Sequence, residues 1–147
     1  MDETPYSGRF EAGAHLFALR VYFEDTDAGG VVYHANYLRF MERARSDMMR
    51  VAGVDQRGAL ERGEGNYVVA ELGLRFRAPA RLDDDLLVIS RVTEMRGALC
   101  AVHQRVMRST ETLVEADVSV ALIGANGRPK RQPRHWIDIF ERLKGTE

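Results

Sequence analysis

Between residues 36 and 52 apolar side chains return at steps of four, three, four and three, as Tyr37, Met41, Ala44, Met48 and Val51. That is the 3.6-residue period of a helix with one apolar stripe. Arg39, Glu42, Arg43, Asp47 and Arg50 fall off the stripe. The pattern predicts a helix roughly 25 Å long at about 1.5 Å per residue, ended by Gly53. Upstream, residues 15–24 carry Leu16, Phe17, Leu19, Val21, Tyr22 and Phe23, the signature of a strand with apolar residues on both faces. Residues 1–14, with Gly8 and Gly13 and little periodicity, read as a loosely held N-terminal arm.

Downstream of a polar, glycine-rich connection at 53–65, four long stretches have strand character: 66–78, 85–96, 98–109 and 112–124. The first alternates, with Val68, Ala70, Leu72, Leu74 and Phe76 assigned to one face and Glu71, Gly73, Arg75 and Arg77 to the other. Asp83 to Asp85, Gly97, Ser109 to Glu111 and Asn126-Gly127 mark the turns between and after them. At 133–143, Trp136, Phe140 and Leu143 stand at helical spacing behind Pro133, which suits a helix's first turn. The strands exceed the ordinary mean of about 5–6 residues, and one substantial helix is available to cover them. Long antiparallel strands twist and coil, so one sheet can wrap its apolar face around that helix. The expected class is α+β, a single domain over residues 15–147 behind the arm.

Composition narrows the function. The 147 residues carry a formal net charge of −1, which gives no reason to expect nucleic acid or an anionic membrane as a partner. No apolar run approaches the ~20 residues of a membrane-spanning helix, and the first residues lack the basic and apolar regions of a secretion signal. The single Cys100 excludes an internal disulfide and fits a reducing compartment. Its place among Leu99 and Ala101 marks it as a packed strand residue. A cytoplasmic protein without integral membrane association is the expectation. His15, His34, His103 and His135 show no metal-ligand spacing, so no metal is expected.

The informative run is residues 25–37, Asp-Thr-Asp-Ala-Gly-Gly-Val-Val-Tyr-His-Ala-Asn-Tyr, between the first strand and the long helix. It brings carboxylates, a glycine pair and a histidine to a helix N-terminus. There the first N–H groups lack internal partners and carry partial positive charge, which suits a developing oxyanion. Gly29 and Gly30 permit close approach of a ligand to the backbone. Asp27, ionised at neutral pH, can attack a carbonyl or take a proton from water. His34 can orient water or the carboxylate, and its N–H can polarise a carbonyl. Taken singly, such an Asp is more often a cap or a turn residue.

The thirteen residues together resemble the signature of the 4-hydroxybenzoyl-CoA thioesterase family of the hotdog superfamily. That pattern runs Asp, small residues, Gly, Val/Ile, Val, an aromatic, a residue opening the helix, then Asn-Tyr. With histidine at position 34, the run is most similar to the Tol–Pal-associated acyl-CoA thioesterase branch. Weaker echoes are Phe76-Arg77-Ala78-Pro79-Ala80 with Asp85, and Glu42-Arg43-Ala44-Arg45.

The resemblance implies a hotdog fold and hydrolysis of an acyl-CoA thioester to free acid and CoA. It makes Asp27 the nucleophile or general base, with His34 supplying its N–H. Tyr33, Gly30 and Val31 would contact substrate. CoA enters as part of the substrate, so no separate cofactor is implied. A homo-oligomer is implied too, a dimer or a tetramer built from dimers. A basic patch, Arg128, Lys130, Arg131 and Arg134, is a candidate for the CoA phosphates. Glu42 reads as an ion-pair partner on its own helix. Two other functions compete: a non-catalytic acyl-binding or scaffold module tied to an envelope complex, and a hotdog dehydratase, whose differently patterned segment is absent here.

Overall fold

The computed structural model describes residues 2–144. Six antiparallel strands form one curled sheet in the order β1-β2-β4-β5-β6-β3. They are β1 (Arg9–Glu11), β2 (Ala14–Arg20), β3 (Asn66–Phe76), β4 (Asp85–Arg96), β5 (Leu99–Arg108) and β6 (Glu111–Ile123). Helix α1 (Asn36–Ala52) lies in the hollow of the sheet against β2, β4 and β5; α2 (Gln56–Glu61) and α3 (Arg134–Lys144) complete the chain. This is the hotdog arrangement, an α+β fold.

The core follows from alternation. Along β6, Val114, Ala116, Val118, Val120 and Leu122 turn to the helix side and are buried, while Glu115, Asp117 and Ser119 between them are not. On α1, Tyr37, Phe40, Met41, Ala44, Met48 and Met49 are buried. Full burial of a large apolar side chain contributes about 1.5–3 kcal/mol, so this seam is the main cohesive element of the fold. Cys100 lies in it, fully buried on β5, and burial pushes its thiol pKa up to about 12. It is packing, with no reactive character.

Five expectations are corrected. The first strand ends at Arg20, and Phe23–Asp25 forms a single 3₁₀ turn that carries Tyr22 and Phe23 into solvent. The arm is not loose throughout: Arg9–Glu11 pairs with β2, Tyr6 Oη accepts from the Ala18 N–H at 3.0 Å, and the Gly8 N–H bonds Asp47. The glycine-rich connection contains α2, started by Asp55, whose side chain accepts from the Gly58 N–H. On β3 the register shifts between Val69 and Glu71, so the bulge at Ala70 reverses the alternation. Tyr67, Val69, Leu72, Leu74 and Phe76 therefore stand opposite the buried residues of β6, while Val68 faces away. On α1 the apolar stripe also stops short of Val51, which is 38% exposed, and takes in Asp47 instead.

Candidate active site

The loop joining β2 to α1 is built on its own hydrogen bonds. Asp27 N donates to Val31 O at 2.9 Å and Gly30 N to Asp27 O at 3.1 Å, closing a tight turn. Gly30 takes φ 79° there, a backbone conformation that disfavours side chains. Thr26 pairs with Val32 and Val31 with Arg81 as isolated bridges. The loop is thus a short ribbon laid beside the segment that follows β3, with Val32 N donating to Ala80 O at 2.9 Å and Leu82 N to Gly30 O at 3.3 Å.

Asp27 is exposed. Its Oδ1 accepts from the Gly29 N–H at 2.8 Å, which fixes the carboxylate over the turn and leaves its second oxygen without a protein partner among the described residues. Asp25, two residues earlier, is spent on structure: its Oδ2 accepts from Tyr22 N at 2.8 Å, and its carbonyl takes Tyr33 N and the Asn36 side chain. The division of labour within Asp25-Thr26-Asp27 is visible in these bonds.

Helix α1 opens without a side-chain cap, with Ala35 at the position where Ser, Thr, Asp or Asn usually stands. Asn36 N and Leu38 N turn back to Tyr33 O and Ala35 O. Among the described residues neither the His34 N–H nor the Ala35 N–H meets an acceptor. Unpaired amides at the positive end of a 17-residue helix form a site for negative charge.

Beside this helix end lies a cleft of about 350 Å³ lined by Val32, His34, Tyr37, Phe76, Arg77, Ala78 and Pro79. Its walls are aromatic: the Phe76 ring meets His34 edge-on with centroids 6.4 Å apart and Tyr37 with centroids 5.8 Å apart. Tyr37 Oη accepts from Ala80 N at 2.9 Å, which anchors the first turn of α1 to the far wall. Burial raises the Tyr37 pKa, so the phenol stays neutral.

His34 lines this cleft. Tyr33 is 49% exposed and stands over the His34 ring at 4.5 Å between centroids, outside the lining. Gly30 and Val31 shape the turn and also lie outside the lining, as does Asp27, which joins the cleft through its bond to Val31 beside the lining residue Val32. Phe76, Pro79 and Tyr37 were not among the site residues expected from sequence. The phrase Phe76-Arg77-Ala78-Pro79-Ala80 held the signal, as the weaker of the two stretches that carry the family resemblance, with Pro79 just past the end of the alternating strand.

The basic patch lies elsewhere. Pro129 pairs with Ile123, which pairs with Asn66, at the opposite end of β3 from Phe76. Ten residue steps at about 3.3 Å put that patch roughly 33 Å from the cleft of the same chain. Glu42 makes no ion pair within 4 Å among the described residues.

Comparison with known proteins gives a consistent family. Residues 29–115 match the family model described as the thioesterase superfamily. The chain is 43% identical over 129 residues to the acyl-CoA thioesterase YbgC of Haemophilus influenzae, covering 87% of this chain and 95% of that protein. It is 41% identical over 125 residues to the acyl-CoA thioester hydrolase YbgC of Escherichia coli O6:H1, covering 84% and 92%. Among solved structures, a probable thioesterase from Bartonella henselae superposes with a TM-score of 0.77 at 37% identity, covering 82% of this chain and 99% of that one. The 4-hydroxybenzoyl CoA thioesterase of Pseudomonas sp. strain CBS-3 superposes with a TM-score of 0.78 at 23% identity, covering 86% and 98%, a likeness of fold.

Proposed function

Because the chain belongs to the thioesterase superfamily and is an acyl-CoA thioester hydrolase, we propose that Asp27 attacks the thioester or activates the water that does. In this reading the carbonyl oxygen is held by the unpaired N–H groups at the start of α1. The observation that carries the proposal is the pairing of an exposed carboxylate with an uncapped helix end on one ribbon, beside an aromatic cleft.

The chemistry follows from the charges. A carboxylate oxygen free of protein donors keeps its nucleophilicity, while the Gly29 N–H holds its twin in place. As the carbonyl carbon becomes tetrahedral, negative charge gathers on its oxygen, and donors already in place need no reorganisation. The acyl group enters the cleft between His34, Tyr37 and Phe76. The thiolate of CoA is the leaving group, and water completes the conversion to free acid.

The protein acts as a homo-oligomer through β3. This edge strand runs for 11 residues and exposes Val68, Val69, Leu72 and Phe76. A long apolar edge with unpaired backbone groups invites pairing with a second copy.

Hydrolysis of a panel of acyl-CoAs, followed with a thiol reagent, tests the catalytic assignment. Asp27→Asn is expected to lose about 10²-fold or more in kcat, and His34→Ala much less, since the backbone N–H survives. A wild-type protein silent on short, long and aromatic acyl-CoAs would refute the enzymatic reading. An Asp27→Asn protein with near-normal kcat would refute the role of that carboxylate alone.

A further inference from the structure

The segment between β3 and β4 holds both halves of the proposed active site. On one side it carries the Asp27 loop, through Val32 N to Ala80 O and Leu82 N to Gly30 O. On the other it grips the first turn of α1, through Ala80 N to Tyr37 Oη. Residue 80 alone, with its carbonyl on the loop and its N–H on the helix, couples the carboxylate to the amides that face the oxyanion.

What fixes this bridge is one guanidinium at the end of β5. Arg108 donates through a single nitrogen to Pro79 O at 3.2 Å and to Asp84 Oδ2 at 2.7 Å, so it ties together the two ends of the bridge. Its other nitrogen is held by Glu111 Oε1 at 2.8 Å. Asp84 Oδ2 also accepts from Arg81 N at 2.8 Å, and Asp84 N donates to Arg81 O at 3.0 Å, which closes the turn from inside. Partial burial would raise the Asp84 pKa, but the Arg81 N–H and the Arg108 charge together hold it below the usual value. The clamp is therefore ionised wherever the enzyme is folded near neutral pH.

We propose that Arg108, through Asp84 and Pro79, is a positioning residue that sets the distance between the Asp27 carboxylate and the amides at the start of α1. This rests on the thioesterase reading above and adds to it a residue that touches neither substrate nor reacting atoms. A misplacement of about 1 Å in an acyl-transfer site costs up to ~10²-fold in rate. The clamp should accordingly appear in kcat. Ground-state binding in the cleft depends on Phe76 and Tyr37 and should change little.

Steady-state kinetics per folded protein on an acyl-CoA turned over by the wild type, beside thermal melts, test this. Arg108→Met and Asp84→Asn are expected to lower kcat about tenfold or more, with KM within about threefold of wild type and with folded baselines retained below the melt. Arg108→Lys, which restores a charged donor, should recover most of the loss. Arg20→Met, which breaks the neighbouring exposed pair of Arg20 with Asp85 at 2.9 Å but leaves the bridge alone, should change neither constant.

A kcat for Arg108→Met near that of the wild type, or a loss confined to KM, overturns the clamp. So does a fall in melting temperature with no fall in kcat. Should Arg108→Met fail to fold, the isosteric Asp84→Asn carries the same test. An inactive wild type would sink the thioesterase reading itself, whereas an active wild type with unaffected clamp variants sinks only the inference.

Discussion

His15 Nε2 lies 2.7 Å from Asp47 Oδ2, and the two side chains, 0% and 4% exposed, join β2 to the middle of α1 inside the core. The same carboxylate oxygen accepts from Gly8 N at 2.8 Å, so one charge fastens helix, strand and arm together. Gly8 is required by space as well: a Cβ there would meet Leu16 O and the Asp47 carboxylate. Among the described residues His15 Nδ1 has no hydrogen-bond partner, which favours the neutral ring with its proton on Nε2.

Removing one member of this pair leaves the other buried without its main partner. His15→Leu is expected to lower the free energy of unfolding by about 3–5 kcal/mol, read from urea denaturation. A loss below ~1 kcal/mol would show that the pair is incidental to the fold.

The pair also gives stability a pH dependence of known sign. Burial lowers the His15 pKa from its ordinary 6.5, an effect larger than the opposing hydrogen bond and charge of Asp47. The unfolded chain therefore takes up a proton on His15 below about pH 6.5 that the native chain refuses. The contribution is fully present above that value and is lost as pH falls toward the native pKa, with a slope of up to about 1.4 kcal/mol per pH unit. Urea midpoints between pH 7.5 and 5.5 should fall for the wild type, and His15→Gln should remove this part of the slope. A slope that survives the substitution assigns it to other groups.

Phe76 is the cleft wall that sequence patterning assigned to a strand face and not to the site. Because it is 55% exposed, Phe76→Ala should leave stability within about 1 kcal/mol while weakening apolar acyl binding. A rise in KM of roughly tenfold, equivalent to about 1.4 kcal/mol, with kcat nearly retained is the expected result. An unchanged KM across the acyl-CoA panel would place the acyl group elsewhere.

The β3 edge makes an assembly prediction. Leu72→Lys puts a charge on an exposed apolar strand, a device natural edge strands use against pairing. Sedimentation should show wild type above monomer mass and the variant shifted toward monomer. A monomeric wild type would remove the proposed role of this edge.

How far the sequence alone reached depends on the range of the forces involved. Periodicity located α1 from 36 to 52 and β4 from 85 to 96 at their observed limits, because a side chain's face is set by its own element's repeat. The Asp27 turn was legible for the same reason, its bonds running between residues at most four apart. Missed features were those in which a distant partner overrules the local pattern. The bulge at Ala70 depends on β6, and the burial of Asp47 depends on a histidine 32 residues away.

By itself, then, the sequence determined the kind of elements and the one loop that carries the proposed chemistry. Tertiary structure decided what those elements enclose: the cleft between His34 and Phe76, and the Arg108 clamp across residues 79–84. The physical reason is that a helix turn or a tight loop satisfies its hydrogen bonds locally. A cleft wall and a buried charge exist only once strands far apart in the chain have been brought side by side.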